Sequence, residues 1–343
     1  MSARYRTALV GCALALPPAL LLAAGLGAFY IPPLEIPRVL LERGLGYEVL
    51  TQIRLPRVLM TALVGAGLAV AGAVLQGLFR NPLAEPSLIG VSSGAALGAA
   101  VWIVLLGGGF GSGQPVRASA AFQWGLPLAA FVGACVTTLL VWRVARTGGR
   151  TLVVSLLLAG IAMNSLAGAG IGLMQFFADD QQLRSFVFWT LGGFNRVSWR
   201  EFWVAAPLIA LALALLLRQG RRLNALVLGE SEAYLLGVQV ERVKRRAVVL
   251  SALLVGASVA VAGVIGFVGL VVPHMFRLVA GPDHRYLLPG AALMGASLLL
   301  VADVLCRTLL VPAELPIGIL TALVGGPFFI YLLTVQQREV LRA

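Results

Sequence analysis

Few residues in this 343-residue chain have the type and spacing for chemistry. Lys244 is the single lysine, and Glu241-Arg242-Val243 precede it. A GxxxxGK[ST] loop, whose backbone amides and lysine hold nucleotide phosphates, is absent, so the polypeptide does not hydrolyse ATP by that route. Asp303 is the clearest acidic residue inside an apolar run, and Arg307 follows at the i,i+4 spacing of a neutralising ion pair. Cys12, Cys135 and Cys306 are scattered through apolar runs without a CxxC or Cys/His spacing. They read as buried free thiols, with no metal site and no cofactor expected.

Other groups suggest contact rather than reaction. Arg54-Leu55-Pro56-Arg57 either anchors a helix end at lipid headgroups or offers a cationic patch to an acidic partner. In the segment 221–240, Glu230 and Glu232 open a short amphipathic element continued by Leu235, Leu236 and Val238. Phe186, Phe188, Trp189, Trp199 and Trp203 cluster around Gly192-Gly193. An interfacial aromatic belt explains them; guidance of a flat aromatic substrate is the sharper alternative.

The elements that must position these residues are transmembrane helices. Apolar residues make up 59% of the chain and charged residues 12%, about half the charge of a soluble domain. Mean hydropathy is +0.94. The net charge of +12 would suggest nucleic acid in a soluble protein, but basic loops on one side of a bilayer give the same number and no nucleic acid is expected. With about 20 apolar residues per span, the sequence predicts an all-α polytopic protein of about ten helices, near 7–29, 57–79, 88–107, 124–143, 152–174, 201–218, 247–265, 267–281, 287–308 and 316–335. The apolar run Ala8–Tyr30 exceeds the 7–15 residues of a signal h-region and reads as the first span. The eighth is short and contains Pro273, which predicts a bent or broken helix that is tolerated only inside protein or along a cavity.

Placing both termini in the cytoplasm puts Arg4, Arg6, Arg80, Arg143, Arg146, Arg150, Arg218, Arg221, Arg222, Arg242, Lys244, Arg245, Arg246, Arg277, Arg285, Arg338 and Arg342 inside, 17 of the 26 basic residues. Val64-Gly65-Ala66, Ala69-Val70-Ala71-Gly72, Pro82 and Gly90 recur 191 residues later as Val255-Gly256-Ala257, Ala260-Val261-Ala262-Gly263, Pro273 and Gly281. The copies lie five spans apart, so they run in opposite directions, as inverted transporter repeats do; they cover about 54–175 and 245–335 of a single transmembrane domain, 1–343. No Ser/His pair or facing aspartates mark an intramembrane enzyme. An ion-coupled secondary carrier would need an unpaired acid in mid-span.

RLPRVLMTALVGAGLAVAGAVLQGLFRNPLAEPSLIGVSSGAALG (Arg54 to Gly98), LNALVLGESEAYLLGV (Leu223 to Val238), and VVPHMFRLVAGPDHRYLLPG, ADVLCR and LPIGILTALVGGP within Gly263 to Gly326 resemble the FecCD-like family of type II ABC importer permeases for ferric siderophores, haem and vitamin B12. The resemblance implies a bacterial inner-membrane permease working as a homodimer with two ATP-binding cassette subunits and a periplasmic substrate-binding protein. It implies that Arg54, Arg57 and Arg307 receive glutamates of the binding protein. Leu228, Gly229, Glu230, Ala233, Leu236 and Gly237 belong to its cytoplasmic coupling segment. Asn81 and Leu83, with Val153 and Val154, stand at its inner gate, although the two valines replace small hydroxylated residues of the vitamin B12 importer, leaving a hydrophobic constriction. The phrase FWTLGGFNRVSW is closer to haem permeases than to cobalamin ones, so haem leads, then ferric siderophore, then cobalamin. Haem ligation by His274 or His284 is the tempting reading of the only two histidines, but both belong to strings shared across the family and read as structural.

Overall fold

The computed structural model describes residues 3–106 and 120–340; Arg342 and the expected end of the third span at residue 107 lie outside them. The helices, in chain order, are α1 (Ala3–Gly25), α2 (Ile36–Glu42), α3 (Leu45–Glu48), α4 (Leu55–Phe79), α5 (Val91–Val101), α6 (Ala120–Val144), α7 (Val153–Phe177), α8 (Asp180–Thr190), α9 (Trp199–Leu217), α10 (Gly220–Leu228), α11 (Glu230–Leu235), α12 (Val240–Ala262), α13 (Val268–Ala280), α14 (His284–Thr308) and α15 (Ile317–Val340). Among the described residues, seven apolar helices are long enough to cross a membrane and three shorter apolar ones accompany them. Each of the ten expected spans coincides with one of these. A hairpin, β1 (Arg146–Thr147) and β2 (Arg150–Thr151), joins α6 to α7.

The core is α4, which packs on α14, α13, α12 and α9, while α5 packs on α6 and α7, and α6 on α12. Lipid tails are as apolar as leucine, so close van der Waals approach must hold these helices together, and small residues permit it. A Cβ on Gly65 would fall 2.4 Å from the Gly295 carbonyl oxygen, and one on Gly72 would fall 1.8 Å from that of Gly269. From Val64 to Phe79 every residue of α4 is buried.

Two expectations are corrected. The second span does not begin at residue 57: the helix is continuous from Leu45 to Phe79, with Val49–Arg54 wound as a π-helix. The Leu55 amide donates to Leu50 O, and this wider turn accommodates Pro56, which lacks an N–H and crowds the turn before it. Nor does the eighth span break at Pro273, through which α13 runs unbroken. The break precedes it, at Gly263–Phe267, where Gly263 (φ 69°) and Phe267 (φ 66°) turn the chain.

A 13-residue helix rises about 20 Å, short of the roughly 30 Å hydrocarbon core, so the non-helical stretch completes the crossing. Its polar groups find partners inside the protein, as they must. Ala262 O accepts from the Gly193 amide at 2.8 Å, and the Phe267 amide donates to the Glu85 carboxylate at 3.3 Å.

Contacts at the helix ends sort the loops into two layers. At the end carrying most basic loops, the Arg4 guanidinium donates to Val279 O (2.6 Å) and Leu278 O (2.8 Å), and Tyr5 stacks on Tyr286 at 4.5 Å. This end, called inner because its basic loops are expected to face the cytoplasm, gathers the start of α1, the α13–α14 junction and α10–α11. The opposite, outer end gathers the end of α1, α8 and the α14–α15 connection.

Gly72→Val places two methyl groups against the α13 backbone. Overpacking costs about 1–3 kcal/mol where neighbours can shift; the Gly269 carbonyl cannot, so the variant is expected at or above about 3 kcal/mol, read as lost monodisperse yield in detergent, while Gly11→Val on α1, with open space where its Cβ would stand, purifies normally.

Candidate functional sites

At the outer end the structure brings Arg54, Arg57 and Arg307 together, but not as an open patch. They are 4%, 8% and 7% exposed, and their donors are committed. Arg54 reaches back to α1, donating to Ala24 O and Gly25 O at 2.7 Å and to Phe29 O. Arg307 donates to Ala23 O (2.9 Å) and Leu26 O (3.2 Å), so two guanidiniums hold the carbonyls at the C-terminal end of α1. Arg57 pairs with Asp303 (2.9 Å) and Glu314 (3.0 Å).

The expected Asp303–Arg307 pair is present at 3.1 Å, yet Asp303 serves Arg57 as well. This corrects the expectation of an exposed cationic surface at these three positions: hydropathy and topology give a residue's depth, not whether a partner covers it. It also leaves Asp303 neutralised and unsuited to carrying a coupling ion.

Beside this network lies a cavity of about 510 Å³ whose walls include Arg57, Asp303, Glu314, Arg184, Phe188 and Arg196. Arg184 and Arg196 are exposed; their sequence surroundings gave no reason to single them out. Arg184 is held by α8, which was read as loop. Its signal was present: Asp179 and Gln182 form a reciprocal capping box, the Gln182 amide donating to Asp179 at 2.8 Å and the Asp179 amide to Gln182 at 3.0 Å. The aromatic cluster divides. Phe188 and Trp189 face the cavity, whereas Trp199 donates from Nε1 to Thr51 O at 2.7 Å and packs with Phe202 and Trp203.

Asn81, Leu83, Val153 and Val154, the residues expected at a gate, lie at the ends of α4 and α7. The Leu83 amide donates to Asn81 Oδ1 at 2.9 Å, a turn that ends α4 just after Arg80 takes a left-handed conformation (φ 50°). This loop meets α7 where Asn164 Nδ2 donates to Ser87 O at 3.1 Å and where Gly160 leaves room for the Leu88 carbonyl. Val153 opens α7, and Val154 is 68% exposed.

The segment expected to couple to an ATPase folds as two helices at a sharp step, with Gly229 (φ 151°) between α10 and α11. Leu223, Leu226 and Ala233 point inward, while Leu228, Tyr234, Leu235 and Leu236 are exposed and Gly237 ends the step in the open. The apolar face expected on Leu235 and Leu236 thus points away from the protein.

Asn224 fastens α10 to α14, donating to Asp283 Oδ1 at 2.6 Å and accepting from the His284 amide at 2.8 Å. Arg285, bonded to both Asp283 oxygens, holds that carboxyl down at about 2, so it stays ionised at any physiological pH. His284 Nδ1 lies 3.0 Å from Asn224 Oδ1, and His274 packs edge-on to Phe328. Neither histidine lines the outer cavity.

Arg57→Met removes one partner of the buried Asp303 while Arg307 remains. The expected loss is about 3 kcal/mol, the low end for a broken buried pair, read as a lower thermal unfolding midpoint in detergent; Glu314→Gln, at a half-exposed carboxylate, costs under about 1 kcal/mol.

The sequence pattern of the FecCD transport family matches residues 14–335. The chain is 50% identical over 280 residues to the hemin transport system permease protein of Yersinia pestis, covering 82% of this chain and 81% of that one. It is 48% identical over 272 residues to the vitamin B12 import system permease protein of Serratia proteamaculans (79% and 77%), and 42% identical over 279 residues to the cobalamin import system permease protein of Halobacterium salinarum (81% and 71%). A solved structure described as an inward-facing conformation of a metal-chelate type ABC transporter matches with a TM-score of 0.83 at 36% identity, over 95% of this chain and 98% of that one. This chain therefore belongs to the FecCD transport family.

Proposed function

We propose that the chain is the membrane-spanning subunit of an ATP-driven importer that passes haem from periplasm to cytoplasm, in the inner membrane of a bacterium and with both termini cytoplasmic. The observation that carries the reading is the exposed apolar step of α10–α11 at the inner end. Leu228, Tyr234, Leu235 and Leu236 are 68%, 75%, 84% and 64% exposed, set among basic residues that mark a cytoplasmic face. Apolar surface grouped in this way outside a bilayer marks a protein partner. Since the chain has no phosphate loop, an ATP-hydrolysing subunit is the partner the transport reaction requires. Haem is favoured over ferric siderophore and cobalamin by the 50% identity to a hemin permease.

A homodimer gives the pathway its second wall. Gly168 and Gly172, one turn apart on α7, have no atoms near where a Cβ would stand, and Leu166, Leu173 and Phe176 beside them are exposed. Small residues at this spacing let a second helix approach closely. The inner constriction is assigned to Asn81, Leu83, Val153 and Val154, closing by dewetting. Inverted repeats at about 54–175 and 245–335 agree with the packing: Gly65 of α4 seats against α14, and Gly256, its counterpart 191 residues on, seats against Ala134 of α6. A periplasmic binding protein docks at the outer cavity, where Arg184 and Arg196 present open charge and Arg54, Arg57 and Arg307 hold the rim behind them.

In liposomes with the ATPase subunit, haem-loaded binding protein should stimulate hydrolysis and uptake more than protein loaded with ferric siderophore or cobalamin. Uptake without the ATPase would overturn the reading in favour of a secondary carrier. Arg184→Glu with Arg196→Glu should slow binding-protein association by about tenfold at low salt and much less at high salt, as rim charges act on encounter. Leu235→Asp should abolish co-purification of the ATPase subunit, because it places a charge at the centre of the apolar step.

A further inference from the structure

Lys244 takes no part in the docking, gate or coupling assignments above, yet it is the most enclosed charged group at the inner end. Its side chain is 2% exposed. An ammonium has three donors and no acceptor, and here all three are used: Thr151 O at 2.6 Å, Glu230 Oε2 at 2.6 Å and Glu241 Oε1 at 3.3 Å. The acceptors come from three different pieces of the molecule. Glu230 is the first residue of α11, Glu241 belongs to α12 with Lys244 itself, and Thr151 closes the hairpin immediately before Leu152 and the gate residues Val153 and Val154.

The hold on Thr151 is double. Its amide donates to both oxygens of Glu241 at 3.1 Å while its carbonyl accepts from Lys244, so both backbone polar groups of the residue leading into α7 are fixed to α12. The hold on α11 is single. Of its six residues only Ala233 is buried, and a cleft of about 900 Å³, lined by residues including Arg150, Tyr234, Leu235, Gln239 and Arg242, opens beside it. The helix therefore has space to shift, and Glu230, 44% exposed, is the charged tie that would be strained. Of the two carboxylates Glu230 makes the shorter bond, 2.6 Å against 3.3 Å to Glu241, so releasing it would leave the enclosed ammonium with its weaker anion. Movement of Glu230 therefore draws the ammonium after it, and the Thr151 carbonyl with the ammonium.

We propose that Lys244 is a positioning residue that links the coupling helix to the inner gate: displacement of α11 is passed through Glu230–Lys244–Thr151 to the first turn of α7. This rests on the reading of α10–α11 as the ATPase contact, and it assigns to one lysine the step from that contact to the gate.

The test uses the full complex in liposomes, with Cys12, Cys135 and Cys306 replaced by serine and a reporter thiol introduced by Val154→Cys, labelled from the cytoplasmic side by an impermeant reagent. In the otherwise unmodified chain, adding a non-hydrolysable ATP analogue should change the labelling rate. Glu230→Gln cuts the tie at its half-exposed end and leaves Lys244 with Glu241 and Thr151, so the fold should survive. The nucleotide response of the label should then fall about fivefold or more, and haem imported per ATP hydrolysed should fall with it. Lys244→Met should reproduce both losses. Labelling and import that respond as before in both variants, with the ATPase bound and hydrolysing, would overturn the link alone. An ATPase subunit that does not associate with the unmodified chain would instead overturn the reading on which the link rests.

Discussion

Inside a hydrocarbon slab no water is at hand to complete a hydrogen bond or solvate a charge, and this constraint shapes each unusual feature of the molecule. The broken backbone between α12 and α13 is held at its two ends, where the Ala262 carbonyl accepts from the Gly193 amide and the Phe267 amide donates to Glu85. The three outer arginines are buried because Asp303, Glu314 and the last carbonyls of α1 consume their donors. Where the partner set is complete a polar group is tolerated at depth; where one partner can leave, the remainder is unstable, which is what a switch requires.

Packing divides the chain unequally. From Val64 to Phe79 α4 is enclosed on every side, with carbonyls of α13 and α14 lying where a side chain on Gly72 or Gly65 would be. Such contacts do not slide without a clash, so α4, α13 and α14 form a stiff body. α7 differs: from Val153 to Phe177 its buried residues are Leu156, Ala159, Gly160 and Ala167. A helix anchored at a few points and bare elsewhere is suited to meet a second copy and to change its tilt. The stiff body carries Asp303; the loosely held parts carry Val153 and Val154, the proposed gate residues, and the exposed leucines of α11.

The order of the spans and the sharing of ends were legible because hydropathy reports how each twenty-residue window partitions into lipid, and basic loops report a side. What was not legible depended on pairing between distant residues. Hydropathy ended the second span at Arg57 because Gln52 and Arg54 are polar, whereas the helix continues because Arg54 finds Ala24 and Gly25 thirty residues away. The eighth-span break was expected at Pro273, the visible helix breaker, but was placed at Gly263–Phe267 by contacts from another loop. That Arg57 and Arg307 are enclosed by Asp303, Glu314 and the end of α1 was hidden from the sequence for the same reason. The coupling segment was legible as amphipathic, but which way its leucines face depends on Leu223 and Leu226 filling the inner site first.

The two charged networks differ in one respect that bears on transport. The outer one joins Arg57, Asp303 and Arg307 through side chains that are 10%, 2% and 6% exposed, with only Glu314 reaching solvent; substituting one member leaves buried charge behind, and the arrangement acts as a fastening. The inner one places Lys244 at 2% exposure between two carboxylates that are 44% and 37% exposed. Water can solvate those carboxylates when they swing away, so the cost of rearrangement falls mainly on the lysine. An enclosed cation held by wet anions couples the parts it joins: displacing the anion at one end pulls on whatever else the cation holds, and the reverse holds equally. In this chain that other group is the Thr151 carbonyl, two residues before Val153 opens α7, so under the proposed link a displacement of α11 is felt at α7 without first disturbing the stiff body of α4, α13 and α14.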